Sequence, residues 1–352
     1  MRKRDIDQFR ENYDKYAEEK SNNYGKVFHY NNKYYPTELV MLKEIGVSAA
    51  ETDNLSSLVV IRQAIVHPNI AQTRSYAKEE QKHFCSTSFT HFITYEYHEN
   101  NLESEIAKRV ADKNTKTAAI QFSEPELWYL INSVVSADSV FGKEGQRYHG
   151  NIQPSTLMLD DFGIVKLVDN SLINYDSSTY QRMQQCGKFH APLSPNLLLQ
   201  LKEKKKNAIY NVSKEESWAL GITTLCAATN SNISYFYNWK KTEINWEHLI
   251  EKLESVNDFY SKQIYAFLEA SLESTEDKRP TIENHSEYLK PYLNEILELK
   301  LDFKVAAKSV TELNRNSQAV RYVRDNQALR SDIQGGYDRQ VKTVPVVSSQ
   351  KN

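Results

Sequence analysis

Apolar residues recur along the chain at two different spacings, and each spacing predicts a different kind of element. A helical spacing predicts one helix over residues 50–66 and another over residues 124–141, each with an apolar face. Residues 157–169 instead place short apolar runs on either side of a polar turn, which predicts a β-hairpin. The chain is therefore expected to contain both helices and strands.

A further apolar pattern lies near the C-terminus. From Tyr292 onward, apolar residues repeat at alternating spacings of four and three, an a/d-type stripe. Its main members are Leu299, Phe303, Val310 and Leu313. The stripe predicts a helix that packs either on its own chain or on a partner, and the sequence leaves both alternatives open. From Gln334 onward the composition predicts an extended polar tail.

The composition of the chain argues against several functional classes. The chain has 352 residues, a formal net charge of -2 and 26% charged residues, which gives no global signal for binding nucleic acid or an anionic membrane. No apolar run is long enough to span a bilayer, and the charged N-terminus does not resemble a signal peptide. The three cysteines form no disulfide framework, so we expect a cytoplasmic protein.

The densest chemical signal is the segment from Tyr148 to Leu159. It resembles the catalytic loop of the protein-kinase family, HRDLxxxNxLL, in which the Asp accepts the substrate proton and the Asn helps to hold magnesium. The corresponding residues here are Asn151 and Thr156, which carry no charge at neutral pH. The resemblance implies a kinase scaffold without catalytic residues. Its vestigial positions are His149, Asn151, Gln153 and Thr156.

Residues 12–45 resemble the opening strands of the kinase small lobe. Gly25 matches the end of the glycine-rich loop, and the resemblance makes Lys43 the lysine that contacts ATP phosphates. Lys20 and Asn22 replace the first two loop glycines. Glycine is used there because backbone amides must approach the phosphates closely, so these side chains are expected to crowd that approach.

Three other positions bear on a nucleotide site. Leu58 stands where the family has the glutamate partner of Lys43, and Tyr95 is the large gatekeeper residue beside the adenine pocket. The resemblance places the metal-binding carboxylate at Asp169, after the hairpin. The literal Asp161-Phe162-Gly163 lies within the hairpin and is expected to be a tight turn with a positive φ at the glycine. No cofactor is therefore expected; the alternative is weak binding of Mg-ATP by Lys43 and Asp169.

Motifs that resemble the large lobe follow in family order. Residues 216–221 resemble DVWSLG, and Arg279 matches an arginine whose glutamate partner is replaced here by Asn196. That buried ion pair is expected to become at best a hydrogen bond. The charged residues 107–116 are expected to form a solvated helix end and loop, and the lysine-rich residues 202–206 a solvated surface loop.

The resemblance implies an α+β, two-lobed protein-kinase-like fold with a helical C-terminal extension. Its expected divisions are an N-terminal extension (1–11), a small lobe (12–97), a large lobe (98–295) and the extension with its tail (296–352). The expected function is that of a pseudokinase, a scaffold or structural subunit of a larger assembly. One alternative is a weak or atypical Ser/Thr kinase, and another is a nucleotide-sensing module without phosphotransfer.

The expected partners are other proteins of that assembly, with no nucleic acid and no membrane. The candidate partner-binding residues are those of the C-terminal stripe: Leu299, Phe303, Val310 and Leu313. A cytoskeletal or ciliary assembly is one candidate location within the cytoplasm.

Overall fold

The computed structural model describes residues 3–22, 25–35, 38–83, 86–111, 121–143, 149–160, 162–168, 180, 191–206 and 208–292. They belong to the first of two units, residues 1–305. Asp161, Asp169 and the C-terminal stripe of Leu299, Phe303, Val310 and Leu313 lie outside the described residues.

The N-terminal part is a five-stranded antiparallel sheet with strand order β1-β2-β3-β5-β4. One helix precedes the sheet and another connects β3 to β4. The elements are α1 (Lys3–Asn12), β1 (Tyr13–Asn22), β2 (Gly25–Asn32), β3 (Leu39–Ser48), α2 (Thr52–Ala64), β4 (Thr73–His83) and β5 (Ser86–Glu96).

The central strand β3 is buried on both faces because a different layer covers each one. Met41 and Ile45 share one face and belong to an apolar cluster with Leu55 of α2. Leu42 points to the opposite face and packs in a second cluster, against which Phe9 of α1 lies. Successive strand residues alternate between the two faces, so a near-continuous apolar strand requires a cover on both. The helix α1 therefore packs on the sheet through Phe9, whereas residues 1–11 were predicted only as an N-terminal extension.

The C-terminal part is mainly helical, and a small three-stranded sheet lies at its border with the first part. Within the described ranges, no helix is long and apolar enough to cross a membrane. The elements are β6 (Asn100–Asn101), α3 (Leu102–Ala111), α4 (Glu124–Lys143), β7 (Leu157–Leu159), β8 (Val165–Leu167), α5 (Pro195–Lys202), α6 (Val212–Thr229), α7 (Ile233–Phe236), β9 (Tyr237–Asn238), β10 (Glu243–Ile244), α8 (Trp246–Ser255), α9 (Lys262–Ser271) and α10 (Ser286–Leu289).

Two helices and a hairpin that the sequence predicts are present in the structure. The helix expected over 124–141 is α4, and the helix expected over 50–66 is α2. The hairpin is β7 and β8, with Gly163 at a φ of 79° in its turn. Asp160 closes that turn, because its carboxylate accepts hydrogen bonds from the backbone N–H groups of Phe162 and Ile164. The resulting α+β arrangement agrees with the expected fold class at this coarse level.

The helix α6 is buried around most of its circumference and forms the centre of the helical part. Trp218 lies within it at 0% exposure and donates a hydrogen bond to Tyr237 Oη at 2.9 Å. Tyr237 in turn donates to the backbone oxygen of Leu193 at 3.0 Å. Polar groups in such a helix need partners, since an unpaired buried donor costs about 1–3 kcal/mol.

The prediction for Arg279 was wrong in one respect. Asn196, at the position of the expected partner, donates to Glu276 at 2.6 Å instead. Arg279 keeps a buried ion pair, with its Nη1 atom 3.2 Å from Oε1 of Glu215 on α6. Glu215 also accepts a hydrogen bond from the Ser194 hydroxyl at 2.5 Å. The ion pair therefore survives with a glutamate from a different element, and it still ties the segment before α5 to the helical core.

The charged end of α3 is also less solvated than predicted. Arg109 is buried, and its guanidinium lies 2.9 Å from a carboxylate oxygen of Glu105 and 2.9 Å from one of Glu126. Its planar group also lies 3.6 Å from the ring centroid of Phe122. Two carboxylates and a ring can compensate the desolvation of one guanidinium, so a sequence-based expectation of exposure fails here. Residues 112–120 of the same charged run lie outside the described residues.

Gly221 marks the closest approach between α6 and α9. A Cβ atom at this position would lie 2.8 Å from the Cβ of Ser271 and 3.0 Å from Cδ2 of Leu272. We expect Gly221→Ala to lower the free energy of unfolding by about 1 kcal/mol or more, because overpacking costs about 1–3 kcal/mol and outweighs the better helix propensity of alanine. Urea denaturation followed by circular dichroism measures the change.

Gly46→Ala is the matched control for this substitution. A Cβ atom at Gly46 in β3 would meet nothing within 4 Å. Its stability should stay within about 0.5 kcal/mol of the parent protein. Equal effects of the two substitutions would contradict the close approach of α6 and α9.

Candidate functional site

The segment from His149 to Thr156 connects α4 to β7 and contains the vestigial loop positions. The Nδ1 atom of His149 accepts a hydrogen bond from the backbone N–H of Asn151 at 3.3 Å. Its Nε2 atom must then carry the proton and donate to the backbone oxygen of Val168 at 2.5 Å. The imidazole is neutral in this arrangement and joins the loop to the residue that follows β8.

The polar side chains of the loop bond to the loop itself. The Oδ1 atom of Asn151 accepts a hydrogen bond from Nε2 of Gln153 at 2.7 Å. The hydroxyl of Thr156 donates to the backbone oxygen of Asn151 at 2.7 Å and accepts from the N–H of Gln153 at 3.2 Å. All three side chains are buried, and these hydrogen bonds close the turn. We call these three residues the loop network.

A pair of buried carboxyl groups holds the start of the loop. Asp138 of α4 accepts from the N–H of His149 at 3.1 Å, and Glu216 of α6 accepts from the N–H of Gly150. Gly150 has a φ of 74°, which glycine adopts without the steric cost that a side chain would add. The sequence analysis missed Asp138, although a carboxylate among the apolar residues of α4 was the available signal.

The two carboxyl groups influence each other. Burial raises the pKa of Asp138 to about 7. Burial also raises the pKa of Glu216 well above its usual range, and the adjacent Asp138 charge raises it further. Within the described part of the chain, Oδ2 of Asp138 and Oε2 of Glu216 have no hydrogen-bond partner. Near neutral pH at least one of the pair is therefore protonated, because two like charges at low dielectric disfavour double ionisation.

Lys43 lies on β3 and is buried, with 2% of its surface exposed. Its Nζ atom lies 5.1 Å from the ring centroid of Tyr95, which has 0% exposure. A lysine ammonium over an aromatic face gains electrostatic stabilisation. Leu58 of α2 stands where the kinase family has the glutamate partner of this lysine. It packs against the apolar cluster that contains Tyr95.

Apolar side chains fill the space between the sheet and the hairpin. Met41 lies two residues before Lys43, on the same face of β3, and shares an apolar cluster with Met158 of β7 and Val168. Met41 and Met158 are both buried, and methionine fills irregular gaps well. The sequence analysis did not single out these residues. The same cluster contains Tyr95 and Val168, the residue whose backbone oxygen His149 binds.

The junction between β5 and the hairpin carries a charged latch, which we define as Glu96, His98 and Lys166. The Nζ atom of Lys166 lies 2.8 Å from Oε1 of Glu96, and Nε2 of His98 lies 3.0 Å from the same atom. Burial opposes the charge on Glu96, but the bonds from His98 and Lys166 lower its pKa to about 2. Glu96 therefore stays ionised at physiological pH, and its bond to Lys166 joins the end of β5 to β8.

The rim above the latch is aromatic. The ring of Tyr97 packs on His29 of β2 with centroids 4.3 Å apart, and Tyr16 of β1 lies 6.0 Å from His29. The backbone N–H of Tyr97 donates to the oxygen of Leu39 at 3.3 Å. The ring contacts connect β1 and β2 to the segment after β5, and the backbone hydrogen bond connects the same segment to β3. The strand β1 also contains Lys20 and Asn22, the positions at which loop glycines were expected to be replaced.

The structure thus brings together four of the predicted site residues in one loop: His149, Asn151, Gln153 and Thr156. Lys43 lies on β3 beside Tyr95. Asp169, the proposed metal ligand, follows Val168 in the chain and lies outside the described residues. Among the residues that are described, no group of three or more His, Cys, Asp or Glu side chains is arranged to hold a metal ion.

The buried carboxyl pair generates a prediction about pH. The folded-state pKa of Asp138, about 7, exceeds its usual value of 3.8, so stability falls as pH rises through that interval. Asp138→Asn keeps an acceptor for the N–H of His149 and removes the titration. We expect the variant to flatten the loss of melting temperature between about pH 4 and pH 7 and to be the more stable protein at the upper end.

Thermal melts across that pH range make the measurement, and Asp258→Asn serves as the control because Asp258 is exposed. The control should follow the parent protein. An equal loss of stability in Asp138→Asn at every pH would mean that an ionised Asp138 is required, and the assignment of a raised pKa would be wrong.

No family model matches the chain. A comparison with curated proteins does find a relative. Over 172 residues the chain is 25% identical to the probable serine/threonine-protein kinase samkB of Dictyostelium discoideum. The match covers 48% of this chain but 27% of the relative, so it extends over about a quarter of that longer protein. The similarity supports a kinase-like relationship for this chain.

Proposed function

We propose that this chain has a two-lobed protein-kinase-like fold whose reaction centre no longer transfers phosphate, and that it acts as a scaffold or structural subunit of a larger assembly. The strands β1 to β5 with α2 would form the small lobe, and the helical part the large lobe. The observation that carries the proposal is the loop network, in which Asn151, Gln153 and Thr156 bond to one another and to the loop backbone.

The loop network bears on proton transfer. A general base must accept the proton of the attacking hydroxyl, and a carboxamide such as that of Asn151 has no basic site near neutral pH. Its oxygen is moreover engaged by Gln153 at 2.7 Å. Asp160 offers no substitute, because its carboxylate accepts the N–H groups of the hairpin turn. These contacts support a loop that is structural in role.

The surroundings of Lys43 bear on nucleotide binding. A phosphate-binding lysine needs an open cleft in front of its ammonium, whereas Lys43 is 2% exposed and faces the ring of Tyr95. Met41 and Met158 pack in the adjoining cluster, where a purine ring would need space. These features support weak or absent binding of Mg-ATP, with Lys43 and Asp169 as the residues available to it.

A second candidate function is that of a weak or atypical Ser/Thr protein kinase. The observation in its favour is the similarity to a protein described as a probable serine/threonine-protein kinase. A nucleotide-sensing module without phosphotransfer is the intermediate case. The three proposals differ in two measurable properties, phosphate transfer and magnesium-dependent nucleotide binding.

The proposal predicts that the chain does not transfer phosphate. The purified full-length chain should incorporate no radiolabelled phosphate into itself or into a generic basic substrate above a heat-treated sample. Asn151→Asp should not restore transfer. A general base contributes only about 10²–10⁴-fold in rate, and Lys43 stays buried beside Tyr95 in this variant.

A thermal-shift titration with Mg-ATP is the companion measurement. A ligand that binds the folded state stabilises it by about 2.7 kcal/mol at one hundred times its dissociation constant. Transfer that depends on Lys43 would establish the kinase reading. A magnesium-dependent rise in melting temperature that Lys43→Met abolishes, without transfer, would establish the sensing reading.

The second prediction concerns the partner-binding segment. Burial of Leu299, Phe303, Val310 and Leu313 could contribute about 1.5–3 kcal/mol for each large side chain. Replacing both Phe303 and Val310 with Asp should remove the protein from its native complex, observed as a shift to lower mass in gel filtration of a cell extract. Truncation after Glu295 should have the same effect.

The control is the double substitution Lys308→Asp and Thr311→Asp, which lies off the stripe and should leave the complex intact. The melting temperature of each purified variant separates the two alternatives. If the truncated chain aggregates or melts far below the parent protein, the stripe packs on its own chain. If the truncated chain still enters the complex, partner binding lies elsewhere.

A further inference from the structure

Two exposed surfaces of opposite charge border the short strand β10. The first, which we call the basic surface, surrounds the end of α5 and combines charged residues with exposed aliphatic ones. Leu199 is 54% exposed and Ile209 is 85% exposed. The basic surface consists of Leu199, Lys202, Lys204, Lys205, Lys206 and Ile209.

The backbone of the basic surface is held in a defined shape. Lys204 has a φ of 55°, in the region that glycine usually occupies at a helix end. Its N–H donates to the oxygen of Leu201 at 3.0 Å, and the N–H of Lys205 donates to the oxygen of Gln200 at 3.1 Å. The hydroxyl of Tyr180 lies 2.9 Å from the oxygen of Gln200 and 2.5 Å from that of Lys205. Little backbone entropy therefore remains to be lost when this surface binds.

The exposed position of Ile209 is fixed as well. The side chain of Gln200 accepts from the N–H of Ile209 at 3.0 Å and donates to its oxygen at 2.9 Å. This two-bond contact anchors the backbone on α5, while the Ile209 side chain projects into solvent. The basic surface therefore presents exposed aliphatic side chains beside its lysines.

The second surface, which we call the acidic surface, lies on α8. Glu247, Glu251 and Glu254 follow one another at spacings of four and three, which places them on one side of the helix. Trp246 is 40% exposed and Ile250 is 48% exposed. This surface thus has the same combination of large apolar groups and charges as the basic surface, with the opposite sign.

The two surfaces meet at β10. Lys202 and Lys241 both have their Nζ atoms 3.7 Å from carboxylate oxygens of Glu243 in that strand. The helix α5 packs against β10, and α8 begins two residues after it. Both surfaces therefore adjoin β10, and we call this region the β10 edge. In a two-fold dimer, binding of each basic surface to the acidic surface of the other copy would pair opposite charges twice.

We propose that this edge is the interface of a two-fold dimer of the chain, in which the basic surface of one copy binds the acidic surface of the other. Each copy carries a basic and an acidic surface, so a second copy offers the opposite charge to both. The two-fold arrangement is closed and uses each surface once per copy. A polyanion such as nucleic acid fits less well, because Glu203 and Glu243 interrupt the lysines. The inference does not depend on the proposed lack of phosphotransfer.

Sedimentation velocity of the full-length chain over a concentration series tests the dimer. The parent protein should associate, and added salt should weaken its association because exposed charges are screened. Two separate charge reversals should each weaken association at least about 100-fold, since like charges brought together cost several kcal/mol. One variant carries Lys204→Glu and Lys206→Glu, and the other carries Glu247→Lys and Glu254→Lys.

An equimolar mixture of the two variants is the decisive sample. In the mixed dimer every contact again joins opposite charges, so association should return to within about tenfold of the parent protein. The control carries Lys82→Glu and Lys290→Glu, whose side chains are 77% and 63% exposed elsewhere on the surface. This control should behave as the parent does.

Three results would overturn the proposal. The first is a parent protein that remains monomeric at all concentrations. The second is association that neither pair of reversals weakens, which would place the contact elsewhere, for example in the C-terminal stripe. The third is failure of the mixture to associate while each variant keeps the melting temperature of the parent, which would show that the two surfaces do not face each other.

Discussion

Burial of α6 is the constraint on which the rest of the structure depends. A helix that is enclosed on nearly all sides cannot leave its polar groups to water, and several of its polar side chains bond to neighbouring segments. Glu215 binds Arg279 and Ser194, and Glu216 binds the backbone of Gly150. The same helix therefore positions the start of the candidate loop, the segment before α5 and the C-terminal turns. The near-contact of Gly221 with α9 completes this enclosure.

In the proposed pseudokinase, this dependence explains which features of a reaction centre can be lost while its framework remains. The amides of His149 and Gly150 need acceptors whatever the loop does, because they are buried. Asn151 and Thr156 are buried too, but the polar atoms of their side chains find partners within the loop. The framework and the reactive positions are thus held by separate sets of interactions.

Local patterns predicted local structure well. The apolar period of residues 124–141 corresponds to α4, and the turn residues between β7 and β8 form the predicted turn. Errors arose where partners distant in sequence decide the outcome. Arg109 looked solvated because Glu126 and Phe122 are not its sequence neighbours, and Arg279 was assigned to Asn196 when Glu215 was available. The site residues Met41, Met158 and Asp138 were missed for the same reason, since their roles depend on packing between separate elements.

The charged latch of Glu96, His98 and Lys166 has a mechanical consequence. It bonds the end of β5 to β8, and the backbone of Asn69 and Ala71 adds hydrogen bonds to Leu167 nearby. Enzymes that close around a substrate need a compliant connection at such a junction, and thermal motion about it sets how quickly they cycle. A junction clamped by an ion pair resists that motion. The sheet and the hairpin should therefore move together as one body.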